Sequence, residues 1–86
     1  MASATYFVVI PFESDSDGQL TPGDPIEART PSGAIFRAKA VALSAGGAIA
    51  FSRTGDPALG EYEDAVILAR EGAIPDDLAA YVSAGA

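Results

Sequence analysis

The 86 residues carry 12 Asp and Glu against 5 Lys and Arg, a net charge of −7, with no Cys and no His. That balance argues against a phosphate backbone or an anionic membrane surface as partner. The missing residue types remove disulfides, thiolate zinc sites, a cysteine nucleophile and the commonest general base.

The length suits a single domain spanning 1–86. Hydrophobic residues make up 49% of it, too many for a disordered tail. A chain this short buries only about 60–65% of the surface it exposes when unfolded. An oligomer interface is the simplest source of further burial.

Thr5 to Phe12 is dense in β-branched and aromatic residues and reads as a first strand. Tyr6, Val8, Ile10 and Phe12 point one way, Phe7 and Val9 the other, so both faces need cover. Pro11 lacks an N–H, which places it at an edge or bulge. The run is too short to span a bilayer and lacks the flanks of a signal peptide. A cytoplasmic location is expected.

Glu13 to Pro25 reads as a polar loop with a tight turn at Asp17-Gly18. Ile26 to Arg29 reads as a short edge strand. Thr30-Pro31 is a helix-start signature, and Gly46-Gly47 stops the helix after about Ala45. Ile35, Ala38, Ala42 and Ala45 form one apolar stripe of this helix. Phe36, Ala40 and Leu43 form another, so the apolar surface is wider than one sheet needs.

Ala48 to Arg53 and Tyr62 to Ala69 read as two further strands, joined by a connection too long for a two-residue hairpin. In the first, Ile49, Phe51 and Arg53 share a face. Ile74-Pro75-Asp76-Asp77-Leu78 reads as the start of a short terminal helix.

The expected fold class is α+β: a small β-α-β-β-α sandwich. A three- to four-stranded mixed sheet packs on one long helix, with a short C-terminal helix. A right-handed crossover through the long helix sets the first strand parallel to Ala48–Arg53.

The runs Tyr6-Phe7-Val8-Val9-Ile10-Pro11-Phe12, Ala50-Phe51-Ser52-Arg53-Thr54-Gly55-Asp56-Pro57 and Glu61 to Leu68 carry a likeness. With them the chain resembles a group of short uncharacterised bacterial proteins of proteobacterial type. The resemblance covers most of the chain. It implies a bacterial cytosolic protein and lends no activity.

Two stretches carry candidate chemistry. Glu13, Asp15, Asp17, Gln19 and Asp24 fall at positions one, three, five, seven and twelve of a loop similar to a calcium-binding EF-hand, with Gly18 at the sharp turn. Alternating carboxylates suit a hard cation such as calcium. The loop departs from that pattern in having Glu first, Asp last and Pro22-Gly23 where a helix should begin. A solvated acidic turn is the plainer reading.

Arg53, Thr54 and Gly55 form the second candidate, an anion site with Arg53 as the bidentate fork. Against it stands an ion pair of Arg53 with Glu61, Glu63 or Asp64. Those three acids with Tyr62 do not converge on one strand face, and Lys39 reads as an exposed handle on the helix. No catalytic residues stand out, and an enzyme is not expected. The sequence favours a non-catalytic interaction or regulatory module acting as a homodimer, with a possible further partner carrying a basic surface. A cation- or small-anion-binding domain is the alternative.

Overall fold

The computed structural model describes residues 4–56 and 58–76. Among these residues the chain forms β1 (Ala4–Ser14), β2 (Leu20–Pro22), β3 (Ile26–Ala28), α1 (Pro31–Ala45), β4 (Gly46–Asp56), β5 (Glu61–Tyr62) and β6 (Val66–Gly72). The expected mixed-sheet sandwich is not what forms. About half of the described residues are strand, in a curled antiparallel half-barrel that carries one helix. Ile74 to Asp76, the expected start of a terminal helix, are not helical, and the rest of that segment lies outside the described residues.

β1 and β4 are the two central strands. They pair antiparallel without a slip from Ala4↔Gly55 to Glu13↔Gly46. β2 and β3 share the outer edge of β1, and β5 and β6 share the outer edge of β4.

The parallel arrangement fails because the chain reverses before the helix begins. β3 already runs antiparallel to β1. The helix therefore connects β3 to β4, and these two are parallel to each other with β1 inserted between them. The strand that crosses over through the helix is thus β3, not β1.

Pro11 sits within a central strand, opposite Ala48. In an antiparallel ladder the N–H and C=O of one residue point to the same neighbour. The Pro11 carbonyl accepts from the Gly23 N–H at 2.8 Å. Its missing N–H therefore faces the break between β2 and β3, where the register shifts from Phe12↔Pro22 to Val9↔Ile26.

Strand alternation sorts the apolar residues onto two faces. One face carries Val9, Ala48 and Ala50 against Ala34 and Ala38 of α1, all fully buried. Alanines on both sides let helix and sheet approach closely. The other face carries Ile10, Phe12, Ile49 and Phe51, with Val8, Ala65, Ile67 and Ile74 packed on them. On β6 the alternation breaks at a bulge: Ala69 pairs with Ala50 but Ile67 pairs with Phe51. The extra residue, Leu68, joins Ala69 on the helix side.

Thr30 caps the helix, its hydroxyl accepting from the Gly33 N–H at 2.9 Å. Gly46 ends it at φ 113, a left-handed conformation that suits glycine. At the far end of the sheet the Ala73 N–H donates to the Gly46 carbonyl at 3.0 Å. This brings the Ala73 carbonyl over Gly47, into the space a Cβ would fill. The same crossing delivers Ile74 to the Phe12–Ile49 cluster.

We expect Gly47→Ala to cost about 1–3 kcal/mol by overpacking backbone on backbone. The urea midpoint measures it, and an unchanged midpoint would contradict the close approach of Ala73.

Candidate functional site

The acidic stretch closes a hairpin between β1 and β2. The Asp15 Oδ1 accepts the backbone N–H groups of Asp17 and Gln19, both at 2.9 Å. The Gln19 carbonyl accepts from the Asp15 N–H at 2.9 Å, and the Asp15 carbonyl from the Gly18 N–H at 3.0 Å. This is an Asx-type turn, in which a short carboxylate stands in for a backbone acceptor. Glu13 remains in β1, paired with Thr21.

Asp24 lies past β2, beyond the glycine that tucks onto Pro11. Glu13, Asp15, Asp17, Gln19 and Asp24 are all exposed. Among the described residues, no group of three or more Asp and Glu side chains is placed to hold a metal ion. The EF-hand spacing thus coincides with a β-turn whose central carboxylate is engaged by backbone.

The Arg53 segment is strand rather than loop, because β4 continues to Asp56. Alternation then sends Arg53 and Thr54 to opposite faces of the sheet. The Thr54 hydroxyl bonds that of Thr5 at 2.9 Å, across the strand pair. The Arg53 guanidinium lies 5.0 Å from the centroid of the Tyr62 ring, a cation–π contact. Gly55 admits Tyr62 and Glu61 so closely that a Cβ there would strike both. The structure therefore sets the Thr54 side chain on the face opposite Arg53, while Arg53 and Gly55 share the side that meets Tyr62. The contact of Arg53 missed by charge pairing is with the aromatic residue between the acids, whose position beside Gly55 is legible only from register. Glu61, Glu63 and Asp64 are exposed.

The outer surface of α1 is the other notable feature. A helix facing solvent on one side normally turns charged residues outward. Here Phe36 is 74% exposed and Leu43 is 90% exposed, with exposed Ala40 between them. Ala34, Ala38, Val41 and Ala42 face the sheet. No acid lies on the helix, while Arg37 and Lys39 flank its apolar outer stripe. Beside it, Glu27, Arg29, Thr30, Phe36, Arg37 and Ala40 line an open groove between helix and β3. Sequence reasoning did not single out Arg29 in this groove; its place directly before the cap residue is the available signal.

No family model, curated protein or solved structure matches the chain. Among the described residues no helix is long and apolar enough to cross a membrane.

The two roles of Asp15 separate experimentally. Asp15→Asn keeps an oxygen acceptor and should melt like the wild type with calcium or with chelator. Asp15→Ala should lose about 1 kcal/mol as its turn bonds go. A calcium-dependent rise in melting temperature that Asp15→Asn abolishes would contradict the turn reading and favour a cation in this loop.

Proposed function

We propose that this chain is a non-catalytic interaction module that pairs with a second copy of itself through the outer face of α1. The exposure of Phe36 and Leu43, on a helix whose opposite side is already buried, carries this reading. Burying each such side chain is worth about 1.5–3 kcal/mol. The sequence gives the chain no histidine or cysteine with which to build a nucleophile and base. None of the 12 acidic residues falls within α1, and the surface that the described ones occupy suits a further partner with a basic surface.

The face is modest. A helix of this length offers a strip about 22 Å long and 10–12 Å across. Stable interfaces cover about 800 Å² per partner. The pairing is therefore weak and concentration-dependent, as suits a regulatory module.

Light scattering across a wide concentration range tests it. The wild type should gain mass toward that of a dimer as concentration rises. Leu43→Glu should stay monomeric, with dilute-state stability changed by no more than about 0.5 kcal/mol because the position is exposed. A wild type that remains monomeric at the highest concentration would overturn the proposal.

A further inference from the structure

We infer that the groove between α1 and β3 docks an extended, carboxylate-bearing segment of a partner protein. The site goes beyond the self-association proposed above and does not require it.

Charge is spread unevenly along this acidic chain. Between Glu27 and Asp56 there is no Asp or Glu, yet four of the five basic residues fall in that interval. Arg29, just before the helix cap, and Arg37, on the second turn of α1, line the same groove. Both are exposed, and among the described residues neither guanidinium makes an ion pair or hydrogen bond. Arg53, by contrast, rests on Tyr62. Among the described residues Glu27 is the only acid on the groove wall. Ile26 and Ala28 take the helix side of β3, so alternation directs the Glu27 side chain to the opposite face. Two guanidiniums therefore set the charge of the groove, and they fit carboxylates.

The edge of β3 supplies a second element of recognition. The Pro11 carbonyl faces the side of β1 that β2 and β3 share, and the backbone groups of Val9 and Phe7 face the same way. These two pair with Ile26 and Ala28. Glu27 therefore turns its N–H and C=O outward, to an edge where no strand lies among the described residues. An extended peptide laid along this edge takes a rung of backbone hydrogen bonds from Glu27.

The shape favours a peptide over a free anion. Arg29 also borders a second hollow, with Thr5 and Tyr6, beyond the end of β3. The recess thus runs on both sides of Arg29. A small anion would use the arginines alone, in an open groove. A peptide with carboxylates set among apolar residues uses the arginines, the free edge and the apolar wall of Phe36 and Ala40 together. The net charge of −7 repels such a partner at a distance, so the groove selects by contact rather than by steering.

Fluorescence anisotropy on the full-length chain tests this, with a labelled peptide of alternating Val and Glu as the probe. The wild type should bind it, and should bind the Val and Gln counterpart more weakly. Arg29→Ala and Arg37→Ala should each weaken binding about two- to fivefold, as for exposed ion pairs. Arg70→Ala, an exposed arginine on β6, should leave it unchanged. Full N-methylation of the probe keeps its charge and removes its N–H groups, and should cost about fivefold, the worth of one hydrogen bond. Leu43→Ser cuts into the self-association face without touching the groove lining, and should bind as the wild type does.

Equal binding of the Glu and Gln peptides, or arginine variants no weaker than Arg70→Ala, would overturn the site. An N-methylated probe that binds as tightly would overturn the strand-edge docking. Inorganic phosphate that displaces the probe better than chloride at equal ionic strength would assign the groove to a free anion instead. A wild type that binds none of the probes would overturn the inference outright and leave the self-association reading untouched.

Discussion

Ten consecutive residue pairs join β1 to β4, and the rest of the molecule is arranged to cover what that pairing exposes. Both strands carry apolar side chains on both faces. Val9, Ala48 and Ala50 need a partner on one side; Ile10, Phe12, Ile49 and Phe51 need one on the other. Register fixes these sets together, since a slip of one residue would turn each set to the wrong face. The helix covers the first face with alanines. The second is closed by the curl of the sheet and by the chain returning over Gly47 with Ile74. Among the described residues, the largest fully buried side chains all lie on β1 or β4: Phe12, Ile49 and Val9.

Much of this is legible in the sequence, and the rest is hidden for specific reasons. The two-faced character of Tyr6 to Phe12 is visible in its unbroken apolar run. The helix bounds are visible in Thr30-Pro31 and Gly46, where capping chemistry is local. Strand direction is not local. It depends on whether the short segment Ile26–Ala28 returns along β1 before the helix, and three residues give no directional signal of their own. The bulge at Leu68 is equally hidden, because Val66 to Ala69 is apolar at every position and no alternation marks the insertion. The extension of β4 through Thr54 and Gly55 turns the Arg53 and Thr54 side chains to opposite faces, because residues adjacent in a strand face apart. In the acidic stretch a β-turn and an EF-hand loop both place a carboxylate at Asp15. They diverge after Gln19, where β2 returns along β1 instead of leading into a helix.

Close helix–sheet packing uses mainly the small residues of α1, leaving two of its large apolar side chains, Phe36 and Leu43, directed away from the sheet. The wide apolar surface of this helix thus resolves into an inner strip that is used and an outer strip that is exposed. The inner strip could have been satisfied with a charged outer face, as in most surface helices. Arg37 and Lys39 mark the borders of the outer strip rather than its centre. A short chain with two thin core layers has little stability to spare, and an apolar outer strip is costly in solubility unless it is covered.

Native-state amide hydrogen exchange tests the central role of the β1–β4 pair most directly. If that pair holds the fold, the amides of Val9, Ile10, Ile49, Ala50 and Phe51 exchange slowest and only through global unfolding. Those of α1 and the flanking strands then open at lower free energy. Helix amides that outlast those of β4 would contradict this, and would place the stable unit of the protein in α1 instead.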